Sequence, residues 1–244
     1  MIQGIIIGLI SSFVGFLFAK GWERFQRYLK ERRLRNFWTF RNNRVAIVYP
    51  MYDDPRFGKN SPKTMAHVED VLAMNLIVNL LKSLNIDYCL LDDTREIDDN
   101  MDLILVCSST GNRQSKIFEE NHELPIHFNQ KEKRFENQNL TDIFESPMDA
   151  TPSQNIDIGL VAKVLDNNPI RAIFLLWGIH GPGTLGAAKF VSEPDNLKFI
   201  GPNSGNNSIS FLVTVPFHRI NADKGGGPRE PGLVTLKTTR PYYF

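Results

Sequence analysis

The chain has 244 residues, 28 Lys+Arg against 27 Asp+Glu, 42% hydrophobic residues and two cysteines. That size suits one domain with an appendage, and a charged fraction of 23% excludes wholesale disorder. Cys89 and Cys107 both sit inside apolar runs, which speaks against a disulfide scaffold or a thiolate metal site.

The near-neutral total hides an asymmetry. Residues 1–44 hold nine Lys and Arg and two Glu, a net of +7, which leaves −6 on the other 200 residues. An acidic body on a basic neck is not the footprint of a duplex nucleic-acid binder, so no such partner is expected. Ile2–Ala19 (IQGIIIGLISSFVGFLFA) carries no charge. As a helix it rises about 27 Å, close to the roughly 30 Å of a hydrocarbon core. All nine basic residues follow the run and none precedes it, unlike a secretory signal peptide. Residues 1–20 therefore read as the single transmembrane helix of an inner-membrane protein, with the N-terminus outside and the remainder cytoplasmic.

Gly4, Gly8, Ser12 and Gly15 place small residues near one face of that helix, the pattern that lets helices pair closely in lipid. A homo-oligomer is the expectation. Residues 21–43 continue as a basic juxtamembrane helix or linker. Trp22, Phe25 and Leu29 lie on one side for the lipid interface, with Arg residues for anionic headgroups, so membrane lipids are the first expected partner.

Residues 44–244 form the expected cytoplasmic domain. Arg44–Pro50 (RVAIVYP) reads as a buried first strand, followed by a polar loop with Asp53, Asp54, Arg56, Lys59, Lys63 and Thr64. Met65–Leu84 reads as a helix with a stripe of Val68, Leu72, Leu76, Leu80 and Leu84. Its acids Glu69 and Asp70 are accounted for by the helix dipole. Asn85 and Asp87 stop it before a strand at Tyr88–Leu91; the loop acid pairs, Asp92-Asp93 among them, read as solvated.

Asp102–Cys107 (DLILVC) is a continuous apolar strand of the parallel-sheet type, leading through a polar loop into a helix that ends near Asn121. Pro125–Phe128 reads as a strand and Asn129–Pro152 as loop-rich. Ile156–Leu165 reads as an antiparallel edge strand, and Ile170–Trp177 as the strongest strand of all. A helix at Leu185–Val191 follows, and Phe211–Pro216 with Leu233–Thr238 suggest a C-terminal β-hairpin. The alternation predicts an α/β fold with a Rossmann-like doubly wound sheet.

Two loops stand out for chemistry. In WGIHGPGTLGAAKF a buried strand ends at Trp177, and Gly178, Gly181 and Gly183 surround His180. Thr184 reads as the N-cap of the next helix, whose main-chain N–H groups would favour a phosphate. The other loop, Ser108-Ser109-Thr110-Gly111-Asn112-Arg113, offers three hydroxyls, a Gly and an Arg for phosphate or ribose. Both loops, and the one after the first strand, leave strand carboxyl ends and can converge on one crevice. The five histidines lack metal-ligand spacing and no nucleophile elbow is present, so no metal, cofactor or catalytic set is assigned.

With the anchor Ile2–Ala19, the basic neck, RVAIVYP, SSTGNR and GIHGPGTLGAA in place, the layout resembles the membrane-tethered sensor–effectors of prokaryotic anti-phage defence. In these, of which CRISPR-associated Rossmann fold (CARF) membrane effectors are an example, transmembrane helices are joined to a cytoplasmic nucleotide sensor. The resemblance implies an oligomer that disrupts or permeabilises the membrane under control of a nucleotide or oligonucleotide-like ligand held by Ser108–Arg113 and Gly178–Thr184. The residues leave two rivals open: a membrane-anchored enzyme on a nucleotide or phosphorylated metabolite, with His180 as acid/base, and a non-catalytic scaffold.

Overall fold

The computed structural model describes residues 2–53, 63–138, 141–151, 153–200, 205–219, 229–238 and 241–244, excluding the side chains of 2–14, 53, 63–65, 219 and 230. The chain opens with one helix, α1 (Ile2–Phe37). At 1.5 Å per residue it is about 54 Å long. Among the described residues no helix is long and apolar enough to cross a membrane. Most of the run Ile2–Ala19, with Gly4, Gly8 and Ser12, has its side chains outside the described residues. Gly15 is exposed, as are Phe16, Leu17, Phe18, Trp22 and Phe25.

The base of α1 belongs to the folded core. Phe37 and Trp38 are buried and pack on Phe174, and the Trp38 indole N–H donates to Val191 O at 3.2 Å. Lys30 and Arg33 pair with Asp195 at 3.1 and 3.3 Å. Just beyond the helix, buried Asp102 accepts from the backbone N–H of Arg41 and Asn42, both at 2.7 Å. The helix is therefore gripped at its C-terminal end.

Next come β1 (Val45–Tyr49), the short pair β2 (Tyr52–Asp53) and β3 (Lys63–Met65), and α2 (Val68–Ser83). After these the chain forms β4 (Tyr88–Asp92), β5 (Asp102–Val106) and α3 (Arg113–Asn121). A small antiparallel sheet, β6 (Ile126–Asn129), β7 (Arg134–Asn137) and β8 (Ile143–Glu145), precedes the single turn α4 (Pro147–Ala150). The chain then runs through β9 (Ile156–Asn167), β10 (Ile170–Gly178) and α5 (Gly181–Ser192) to β11 (Ile209–Arg219). Short strands β12 (Arg229–Pro231), β13 (Thr235–Leu236) and β14 (Tyr242–Tyr243) all pair with β11.

The fold is mixed α/β with a mainly parallel centre. Strands β4-β1-β5-β10 run parallel in that order, and β9 and β11 extend the sheet antiparallel. One face buries Ile47, Ile104 and Phe174 under α2, α5 and the end of α1. The other buries Val48, Leu105 and Trp177 under α3 and the β6-β7-β8 sheet. Three layers result, and strands covered on both faces explain why β1, β5 and β10 read as continuous apolar runs.

Four expectations need correction. Ile156–Leu165 is no edge strand, because β9 pairs with β10 on one side and β11 on the other. Within it the buried Lys163 ammonium donates to Gly205 O at 3.0 Å and Phe37 O at 3.5 Å. The buried stripe of α2 is Asp70, Ala73, Ile77, Leu80 and Leu81, while Val68 and Leu72 are exposed. A pure four-residue spacing drifts around a helix of 3.6 residues per turn, whereas a packed face alternates threes and fours. Asn129–Pro152 contains two strands and a helical turn too short for a periodic signal. Asp93 is buried, where it accepts from Met51 N at 3.2 Å and Arg113 N at 2.8 Å, so this member of the acid pair is not solvated. In the C-terminal segment Phe211–Pro216 lies within β11, which meets β13 through Val213↔Leu236 and Thr214↔Thr235.

Candidate functional site

The carboxyl ends of β1, β5 and β10 open into one cavity of about 500 Å³. That size suits a small organic ligand. It lies where the parallel order turns from β1 to β5, with β4 on the far side of β1, the crevice in which open α/β sheets hold ligands. Tyr52 comes from beyond β1, Asp70 from α2, Cys107 and Ser108 from beyond β5, His180 from beyond β10, and Arg229 from β12.

The two expected loops do meet. Ser108, Thr110 and Gly111 line one wall, and Gly178, His180, Gly181 and Thr184 another. Ile179 lines it as well, whereas Ser109, Asn112, Arg113 and Gly183 do not. Asn112 is buried as the N-cap of α3, its Oδ1 accepting from Gln114 N at 2.9 Å and Ser115 N at 3.2 Å. Its Nδ2 donates to Val106 O at 2.8 Å and Val48 O at 3.1 Å. Ser109 is buried with its hydroxyl unpartnered among the described residues. Arg113 faces a separate groove beside α3. Gly183 is packed beneath β9, where a Cβ would fall on Ile158 O and Asp157. In the third loop, Asp54, Arg56 and Lys59, and the side chains of Asp53, Lys63 and Thr64, lie outside the described residues.

The phosphate cradle expected after Trp177 is already filled by the protein itself. Asp157, fully buried in β9, accepts from His180 N at 3.1 Å and Gly183 N at 2.7 Å. Its other oxygen takes the Ser146 hydroxyl at 2.8 Å. Burial lifts this carboxyl above its ordinary range, against the pull of His180 and of the Ser146 hydroxyl. Helix α5 consequently starts at Gly181 with His180 as N-cap, and Thr184 lies inside its first turn rather than capping it. The Gly178 and Gly183 positions serve close packing: a Cβ on Gly178 would fall on Thr184 N and His180 O. An anion at this helix terminus would have to displace Asp157.

His180 itself is turned to the rim, its Nε2 at 2.9 Å from both Asp149 oxygens on α4. Opposite lies a cluster that sequence reasoning missed. Asp70 is only 2% exposed, its Oδ2 accepts from the Tyr52 hydroxyl at 3.3 Å, and Tyr52 also lies 3.5 Å from the Cys107 sulfur. The Tyr52 ring packs edge-on against His67 at 4.3 Å. Burial pushes Asp70 up from 3.8 to about 7, with Tyr52 opposing and Glu69 reinforcing. Burial and Asp70 push the Cys107 thiol up to about 12, so it stays protonated although a φ of 75° sets it at a sharp turn after β5. A thiol so protonated is not an activated nucleophile. The available signal for Asp70 was an acid on the buried stripe of α2, three residues before Ala73.

Among the described residues no cluster of His, Cys, Asp or Glu is placed to hold a metal ion. No protein-family model matches the chain, and no characterised protein matches it in sequence.

Proposed function

We propose that the chain is a membrane-tethered sensor whose α/β domain binds a nucleotide-like ligand in the crevice at β1, β5 and β10. The observation that carries the reading is the convergence of those three strand ends on one cavity of about 500 Å³. The parallel order of β4-β1-β5-β10 between two covered faces supports treating the sheet as Rossmann-like and doubly wound. The capping of the α3 and α5 N-termini by Asn112 and Asp157 favours a ligand recognised through hydroxyls and bases over one held by many phosphates.

A route from ligand to anchor supports the sensor half. Helix α5 begins at the crevice with Gly181 and Thr184 and ends against the base of α1, where Val191 O receives the Trp38 indole. A ligand that prefers one position of α5 thereby biases the position of α1 and of the oligomer it builds. In this reading the apolar run Ile2–Ala19 lies in the membrane and its Gly4, Gly8, Ser12 and Gly15 face pairs copies of the helix. Ligand occupancy would then control membrane disruption in defence.

Two measurements test this. Thermal-shift titration of the detergent-extracted full chain with adenosine, AMP, a cyclic dinucleotide and a short oligoadenylate should give a saturable rise in Tm with at least one. A flat response to all four would sink the ligand class. Separately, Ile7→Lys should move the protein from the floating to the soluble fraction in vesicle flotation. Unchanged flotation would contradict the anchor.

A further inference from the structure

Among the described residues the buried acids are satisfied by the fold, with one exception. Asp157 has three donors, Asp93 two backbone donors, and Asp102 takes Ala172 N at 2.6 Å besides Arg41 and Asn42. Asp70 lines the crevice, is 2% exposed, and its Oδ1 has no partner among the described residues. An unpaired buried carboxylate oxygen is costly, and such a group calls for a partner that arrives from outside.

The neighbours define what that partner must bring. The single Tyr52 proton is spent on Asp70 Oδ2 or on the Cys107 sulfur. Glu69 beside it adds like charge, and among the described residues no bond joins it to Arg229, His67 or His180, which share the cavity. A phosphate set against Asp70 Oδ1 would therefore meet an acceptor rather than a donor. In the same cavity the Ser108 and Thr110 hydroxyls bond each other at 2.9 Å, a pair able both to donate and to accept. An acceptor-only carboxylate that shares a cavity with those hydroxyls complements a vicinal diol, each of whose O–H groups needs both roles filled.

We propose that Asp70 accepts a hydrogen bond from the ribose diol of an uncharged nucleoside moiety seated in the crevice. This rests on the nucleotide-like reading above and assigns the ligand's sugar to the Asp70 wall. The ionised carboxyl is the binding form. Because Asp70 sits near 7, binding the diol releases a proton, and affinity falls as pH drops below that point.

Calorimetric titration of the full-length protein with adenosine, 2′-deoxyadenosine and 2′,3′-dideoxyadenosine tests it. At pH 8 adenosine should bind at least tenfold more tightly than the dideoxy compound. Asp70→Asn should weaken adenosine at least tenfold while leaving the dideoxy affinity alone. Wild-type affinity for adenosine should fall about tenfold from pH 8 to pH 6, and the variant should show no such slope. Circular dichroism checks that the variant is folded. Equal affinities for the three probes, or an unchanged Asp70→Asn, overturn the Asp70 assignment and leave the crevice standing. A Tm response to AMP or to either oligonucleotide, with no adenosine binding, also overturns it. No binding by any nucleoside or nucleotide overturns the nucleotide-like reading and this inference with it.

Discussion

Asp157→Ala should cost the domain about 3–5 kcal/mol and lower its Tm by roughly 10 °C. The carboxylate is fully buried and is the acceptor for His180 N, Gly183 N and the Ser146 hydroxyl. Alanine strands the His180 and Gly183 N–H groups, leaves the Ser146 hydroxyl only Ile156 O at 3.4 Å, and frees the first turn of α5 from the end of β9. Asp157→Asn separates charge from geometry. Its amide oxygen can face the two backbone N–H groups, while its NH₂ meets a Ser146 hydroxyl that is free to turn and accept. That variant should lose much less than the alanine one. Thermal unfolding followed by circular dichroism reads both, and an alanine variant within about 1 kcal/mol of wild type would contradict the capping role. The same comparison bears on function, because Ser146 precedes α4, whose Asp149 holds His180 at the rim.

What the sequence could reveal follows from where each interaction is made. Strands β1, β5 and β10 are covered on both faces, so their side chains must be apolar whichever way they point, and the runs VAIVY, DLILV and IRAIFLLW announce themselves. Helix α3 was legible too, since its cap Asn112 bonds to Gln114 and Ser115 only two and three residues away. The crevice was visible in outline because ligand loops follow strand carboxyl ends by topology alone. Its chemistry was not. The capping of α5 spans 23 and 26 residues to Asp157, and the Tyr52–Cys107 contact spans 55. No local pattern announces that a carboxylate in one strand will occupy the anion site of a helix that follows the next. Lys163 shows the same thing in the core: a cation inside an apolar run reads as an edge until the carbonyls that receive it are known.

Asp70→Asn should act in the opposite direction and stabilise the ligand-free protein, by about 2–4 kcal/mol at pH 8. The sign follows from the raised carboxyl, which moves from 3.8 to about 7 on folding. Below pH 3.8 the folded and unfolded chains both hold the proton, and the folded state carries no penalty. Between pH 3.8 and 7 only the folded chain keeps it, so each rise in pH favours unfolding. Above 7 both are ionised and the full cost of a buried charge beside Glu69 stands. Asparagine has no proton to lose, so the difference between variant and wild type should be near zero at pH 4, grow to pH 7 and then level off. Titrating groups that do not feel Asp70 are the same in both proteins and cancel from that difference. Urea unfolding at three pH values measures it, and parallel stability curves would show that Asp70 already finds a donor. A residue whose replacement strengthens the fold yet weakens adenosine binding would mark stability given up for recognition.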